Sequence, residues 1–432
     1  CIERLRSPVN VTIVFLLVFT GLLWTLEEGV YWGIWHVDQM SQLTQSLCAV
    51  LTSVVLFWTE KSFNQKQFPV CLLILIALIG CCTIISCRHL ILMFIGLELL
   101  ALPTYTLCAI EDRGLEASLK YFLMGAVASI FILYGLSFVY GATGSLSYDQ
   151  LFAWQSIVNE SLMLYLRIGV VFLLAGLLFK LGVAPFHLWV PDVYQSAPIG
   201  VVTWLAVVPK IALTTMLIRF SIESQLYNLD VWQQIIFVIS IFSLVYGVLM
   251  AVSQSNIRRL IGYASVAHMG FMLLPLQVGL GGHSAMLVYV VGYVIITLVA
   301  MMVVHRFEQR GYTSIKQLSG VARVMPHDAV VFMLSLAAMA GIPPLVGFII
   351  KLNALYVLIE QGSIGVPIMA ALAVAISAFY YMGVIKSMYF EGTNLKRIHL
   401  SYAVIPFGFL LVIMGIIPQF YLVILNQAIP GI

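Results

Sequence analysis

Charge is what this sequence has least of. Aspartate, glutamate, lysine and arginine make up 9% of the 432 residues, hydrophobic residues make up 62%, and mean hydropathy is +1.05. A soluble globular domain carries about 25% charged residues, so that class is excluded. The net charge of +3 is too small to point to nucleic acid. Neither a G-x-G-x-x-G nor a G-x-x-x-x-G-K-[ST] phosphate loop occurs. The cysteines, Cys1, Cys48, Cys71, Cys81, Cys82, Cys87 and Cys108, fit no CxxC pair, haem-attachment or zinc spacing and read as small apolar packing residues. No nucleotide, flavin or iron–sulfur cluster is therefore expected in this chain alone. Residues 11–26 are not followed by a small-residue cleavage site, so a removed signal peptide is not expected. The first residue is Cys1 rather than Met, which leaves room for a missing start.

What is present is a succession of apolar stretches about 20 residues long, the length of a helix crossing a ~30 Å hydrocarbon core. The alternating ten-residue segments of a membrane β-barrel are not seen. The expected fold is an all-α polytopic membrane protein. About thirteen crossings are read, near 10–28, 40–58, 69–86, 90–109, 117–140, 167–190, 199–219, 232–252, 259–278, 283–304, 328–359, 365–386 and 402–425. The connections are short and leave no separate soluble domain.

Basic residues orient this arrangement, because cytoplasmic loops are enriched in them. With the N-terminus inside, the inner segments hold Arg4, Arg6, Lys61, Lys66, Arg113, Lys120, Arg258, Arg259, Arg306, Arg310, Lys316, Arg323, Lys386, Lys396 and Arg397. The outer side receives only Arg88, Arg167 and Arg219, each at a helix end. The asymmetry predicts an inner N-terminus and an outer C-terminus.

Two crossings carry breaks. In Phe179-Lys180-Leu181-Gly182-Val183-Ala184-Pro185-Phe186-His187, Pro185 cannot donate to the carbonyl of Leu181, so the helix should kink or open there. Gly341-Ile342-Pro343-Pro344 should do the same ahead of Gly347 and Lys351. Broken backbone inside a membrane is tolerated where it is buried in protein or lines a wet cavity. Two breaks five crossings apart have opposite orientation and predict two inverted five-helix repeats. The expected organisation is N-terminal helices over 1–68, a first repeat over 69–220, a second over 230–390 and a C-terminal helix over 400–432. A packing kink is the plainer reading of either break alone, but each has a lysine close by.

Four charges sit inside crossings: Glu98, Lys180, Lys210 and Lys351. A charge at mid-membrane costs at least ~2.5–3.5 kcal/mol, and such residues usually mark ion or proton pathways. Glu98 and Lys180 can pair, each favouring the charged form of the other; the plainer reading of Glu98 is a structural hydrogen bond. Lys210 is too central to reach either interface, whereas Lys351 has snorkelling to the outer side as an alternative. His187 would share a face with Lys180 on an unbroken helix, and His268 lies on the ninth crossing. Either imidazole could relay a proton or simply be packed. Asp192 and Tyr194 are expected to cap or shape the turn after the first break.

These residues also carry a likeness. The run from Phe179-Lys180 through Pro185-Phe186-His187-Leu188-Trp189-Val190-Pro191-Asp192-Val193-Tyr194-Gln195-Ser196-Ala197-Pro198 resembles the signature of the antiporter-like subunits of complex I, the proton-pumping NADH:quinone oxidoreductase. Pro-Asp-Val-Tyr-Gln resembles the N-type subunit (mitochondrial subunit 2), where L- and M-type relatives and sodium/proton antiporter subunits usually show Pro-Asp-Ala-His. Gly96-Leu97-Glu98-Leu99, Glu116-Ala117-Ser118-Leu119-Lys120-Tyr121-Phe122, Asn256-Ile257-Arg258-Arg259-Leu260 and Gly341-Ile342-Pro343-Pro344 with Gly347-Phe348 extend the likeness over nearly the whole chain.

The resemblance implies a fourteen-helix fold with inverted repeats, of which the family's first helix is absent from the thirteen counted here. It implies a proton-transfer axis through Glu98, Lys180, Lys210 and Lys351, with His187 and His268 as possible relays. It implies a translocase subunit that does no redox chemistry itself. NADH, FMN, iron–sulfur clusters and quinone would be bound by other subunits. The expected partners are an M-type antiporter-like subunit, a small K-type subunit and membrane lipids. The expected location is an energy-transducing membrane, the bacterial inner membrane first and the mitochondrial inner membrane as the alternative. The rival functions are a sodium/proton antiporter subunit, a photosynthetic NDH or membrane-bound hydrogenase subunit, and a scaffold whose charges only hold helices together.

Overall fold

The computed structural model describes residues 7–156, 159–362, 364–390 and 402–429. Arg4, Arg6, Lys396 and Arg397, counted above toward the inner side, and the 391–400 connection lie outside the described residues. In chain order come α1 (Pro8–Leu23), a hairpin of β1 (Gly29–Tyr31) and β2 (Trp35–Val37), α2 (Gln39–Thr59), α3 (Gln67–Ser86), α4 (Leu90–Cys108), α5 (Leu115–Thr143) and the one-turn α6 (Tyr148–Leu151). They are followed by α7 (Glu160–Leu181), α8 (Trp189–Ser196), α9 (Ile199–Ser224), α10 (Asp230–Val252), α11 (Ile257–Leu273), α12 (Leu280–Glu308) and the short α13 (Val321–Val324). The last are α14 (Pro326–Ala340), α15 (Val346–Glu360), α16 (Gly365–Phe390), α17 (Ile405–Ile416) and α18 (Gln419–Gln427). The two-strand hairpin is an addition to the expected helices; it pairs Gly29 with Val37 and Tyr31 with Trp35 in antiparallel register.

Polar residues decide where apolar helices begin. Asp38 accepts the backbone N–H of Ser41 at 2.8 Å while Ser41 Oγ accepts that of Asp38 at 2.9 Å, a reciprocal cap that satisfies donors no helical carbonyl can reach. Asn159 opens α7 and Asn256 opens α11 in the same way, through the N–H groups of Ser161 and Arg259. Small residues then let helices meet. A Cβ on Gly135 of α5 would lie 2.6 Å from the backbone nitrogen of Leu173 on α7, and one on Gly169 would strike Val139. With lipid as apolar as the core, this backbone-to-backbone contact is what holds membrane helices together.

Among the described residues, ten helices are long and apolar enough to cross a membrane, and the pair α17 and α18, bent by 75°, makes an eleventh if counted as one span. The expected count is thirteen; α1 and α14 are apolar but shorter than a full crossing. The most apolar stretch of α9 is buried all round, whereas in α5, α10 and α16 less than half of it is buried.

By contact the chain forms two compact units. The first holds α1 to α7, α9 and the start of α10; the second holds residues 183–195, the rest of α10 and α11 to α18. One local pattern recurs in both halves of the sequence. His89, the cap of α4, bridges Ser147 beyond α5, and Asn256, the cap of α11, bridges Ser314 beyond α12. After a one-turn helix in each case, α7 and α14 then end on a left-handed glycine, Gly182 at φ 73° or Gly341 at φ 86°, a conformation only glycine adopts without cost. A shorter helix and a long one follow, α8 and α9 or α15 and α16.

Candidate functional site

Glu98 and Lys180 meet. Lys180, the penultimate residue of α7, donates from Nζ to Glu98 Oε1 on α4 at 3.3 Å. The lysine side chain is 4% exposed and the glutamate 26%, so burial bears hardest on the ammonium. Ser129 of α5 donates to the same oxygen at 2.5 Å, and the ring of Tyr105 lies 6.0 Å from Nζ. Removing either member of such a pair leaves a buried charge uncompensated, at a typical cost of ~3–5 kcal/mol.

The two other lysines take the carbonyls that the breaks release. Pro185 has no N–H to give Leu181, four residues earlier, and the Leu181 carbonyl accepts instead from Lys210 Nζ on α9. Pro343 likewise leaves the Met339 carbonyl without a helical donor, and Lys351 Nζ on α15 donates to it at 2.6 Å. Each proline thus creates an acceptor, and each lysine finds it. A buried carbonyl without a donor would cost ~1–3 kcal/mol, so the break and the lysine stabilise one another. The snorkelling alternative for Lys351 is not what occurs: the residue is 6% exposed and turned inward across the break.

The histidines fare differently. His268 on α11 shares a hydrogen bond of 2.8 Å with Tyr289 of α12 and faces a small cavity also lined by Lys351, Ser377, Tyr380 and Tyr381. His187 lies beyond the break at Gly182, so it does not share a helix face with Lys180; it is buried edge-on against Tyr246 with ring centroids 4.6 Å apart. Nearby, Ser243 Oγ accepts the N–H of Ala184 and donates to its carbonyl, tying the opened chain to α10. The expectation that Asp192 and Tyr194 shape a turn is corrected. The chain re-enters a helix at Trp189, so both lie inside α8, where Asp192 accepts from Arg259 Nη1 at 2.7 Å and Tyr194 is buried.

Sequence reasoning missed a second charged centre. Arg219 of α9, counted above only as an outer arginine, is 2% exposed and donates to Asp38 at 2.8 Å, to the Ile85 carbonyl at 2.9 Å and toward His36 Nδ1 at 2.6 Å. Glu223 joins Arg219 at 3.5 Å and Arg88 at 2.7 Å. Burial alone pushes the Asp38 carboxyl up, but the Arg219 guanidinium and the Ser41 N–H outweigh it and hold the group below the ordinary carboxylate range. The only sequence signal for this cluster was an arginine one turn before a glutamate at the end of a long apolar run.

Comparisons with known proteins identify the family. Residues 87–379 match the family described as NADH:quinone oxidoreductase/Mrp antiporter, TM. The chain is 34% identical over 418 residues to NADH-quinone oxidoreductase subunit N of Coxiella burnetii, covering 92% of this chain and 87% of that one. It superposes on a chain of respiratory complex I from Thermus thermophilus with bound aureothin at a TM-score of 0.82 and 31% identity, over 96% of this chain and 93% of the other. A chain of the Mrp complex from Dietzia sp. shares the fold, with a TM-score of 0.84 at 20% identity over 99% and 91% of the two chains. The chain belongs to the NADH:quinone oxidoreductase/Mrp antiporter membrane family, in the branch of the subunit N proteins.

Proposed function

We propose that this chain translocates protons as the N-type subunit of the membrane arm of NADH:quinone oxidoreductase. Glu98, Lys180, Lys210 and Lys351 form its proton-transfer axis, with His187 and His268 as relays. The observation that carries the reading is the buried Glu98–Lys180 pair together with two lysines held at helix breaks. A redox-driven signal from the rest of the complex displaces Glu98 relative to Lys180 and loosens the hold on the lysine's proton. The energies match: disrupting a buried pair is worth ~3–5 kcal/mol, while moving one charge against 100 mV costs ~2.3 kcal/mol.

NADH, FMN, iron–sulfur clusters and quinone are handled by other subunits, and this chain supplies no redox group. Its neighbours are other membrane-arm subunits, an M-type antiporter-like subunit and a small K-type subunit among them. It is a multi-pass membrane protein, placed by this reading in the bacterial inner membrane with its N-terminus on the cytoplasmic side.

The test is Lys180→Ala and Lys180→Met in membrane vesicles. Both variants should assemble and lose most NADH-driven acidification. Wild-type pumping with confirmed incorporation would remove Lys180 from the mechanism.

A further inference from the structure

Ser129 plays no part in the axis as described, yet it makes the shortest contact to Glu98. It sits in the middle of α5, inside the membrane span, and its hydroxyl has two acceptors within reach: Glu98 Oε1 at 2.5 Å and the carbonyl of Gly125, one turn back on its own helix, at 3.0 Å. A hydroxyl has one proton to donate. It can therefore serve the carboxylate or the helix backbone, and turning from one to the other leaves the hydroxyl satisfied in both positions. Lys180 and Ser129 meanwhile converge on a single oxygen, Oε1.

We propose that Ser129 is a positioning residue for the Glu98–Lys180 pair: its hydroxyl is the second donor that holds the Glu98 carboxylate in place when Lys180 gives up its charge. The inference rests on the axis reading above. A lysine that has passed its proton on keeps two N–H groups but no longer attracts the carboxylate as a cation. A carboxylate left in an apolar span with only a neutral amine beside it is costly. The serine, already on Oε1 beside Lys180, lowers that cost by keeping its donor on Glu98, and a hydrogen bond to an ionised group is about twice as strong as a neutral one. When Lys180 is recharged, the hydroxyl can turn to Gly125 without leaving either partner empty.

The plainer reading is that Ser129 merely bonds back to its own helix, as serines in membrane helices often do. Two observations weigh against it. The contact to Glu98 is shorter than the contact to Gly125. The corresponding place in the second half of the chain is also bridged by a hydroxyl. Ser265 lies nine residues after the α11 cap Asn256, as Glu98 lies nine after the α4 cap His89, and Ser265 accepts from Tyr293 of the next helix at 2.8 Å.

The experiment uses the assembled complex in vesicles and compares Ser129→Ala, Ser129→Thr, Glu98→Gln and Ser129→Ala with Glu98→Gln. Incorporation is checked for each, and NADH-driven acidification is the readout. Ser129→Ala should slow pumping about ten- to a hundredfold, the range for a lost hydrogen bond to a charged group. Ser129→Thr, which keeps the hydroxyl, should recover most of it. In the Glu98→Gln background the alanine change should cost less than about twofold, because two residues acting through one interaction are not additive. Normal pumping by Ser129→Ala beside an impaired Glu98→Gln would overturn the proposal and leave the axis standing. An equal loss in both backgrounds, or no recovery with threonine, would also overturn it and reduce Ser129 to packing. A fully active Glu98→Gln would remove the axis reading and this proposal together.

Discussion

At the scale of single residues, the buried charges of the two centres described above each have a named partner. The Glu98–Lys180 contact, the two lysine–carbonyl contacts and the Arg219 cluster all satisfy groups that would otherwise be costly to bury. The Arg219 cluster makes a prediction of its own. Arg219→Met leaves Asp38 and Glu223 without their shared cation and should destabilise the subunit by ~3–5 kcal/mol, seen as a lower apparent Tm of the assembled complex. Asp38 adds a pH dependence. Its folded-state value is depressed below that of the unfolded chain, so its stabilisation is present above the ordinary carboxylate pKa of ~3.9 and is lost as pH falls through the lower folded value. Apparent Tm followed downward from pH 6 should show an acid-side drop that Asp38→Asn lessens. An unchanged drop in that variant would mean that other carboxylates carry it.

At the scale of elements, the prolines matter as much as the charges. Pro185 and Pro343 each remove a backbone donor, and a lysine from another helix takes the acceptor left behind. The glycines just before them let the chain turn. Gly341 is the sharper test, because it combines a φ of 86° with a close neighbour: an added Cβ would lie 3.0 Å from Lys351 Cδ. Gly341→Ala should therefore cost ~1–2 kcal/mol in backbone conformation and shift the Lys351 stem. The expected outcome is lower stability together with slowed acidification at normal incorporation. Unaltered pumping would show that the position of the Lys351 side chain tolerates displacement.

At the scale of the whole molecule, the arrangement of basic residues predicts the sidedness of the loops. The connection over 305–327, with Arg306, Arg310, Lys316 and Arg323, should be labelled through introduced cysteines from the cytoplasmic side, and a C-terminal tag from the opposite side. A tag accessible from the cytoplasmic side would break the thirteen-crossing topology. Much of this level was legible in advance. Composition determined the membrane class, proline and glycine spacing located both breaks, and the rarity of charge singled out Glu98, Lys180, Lys210 and Lys351. These signals are strong because a lipid environment penalises each charge and each missing backbone donor wherever it occurs, without reference to any partner.

The partners themselves were decided only in three dimensions. That Ser129 rather than another hydroxyl reaches Glu98, that Lys210 and Lys351 settle on the carbonyls of Leu181 and Met339, and that Asp192 serves Arg259 from within a helix depend on which helices pack together. Helices that are apolar all round carry no stripe to announce the face they bury, since lipid and protein core reward the same side chains. The sequence by itself determined which groups must find a partner, through the cost of leaving them alone. Only the tertiary structure decided which partner, because that choice rests on contacts between segments as far apart as Asp38 and Arg219.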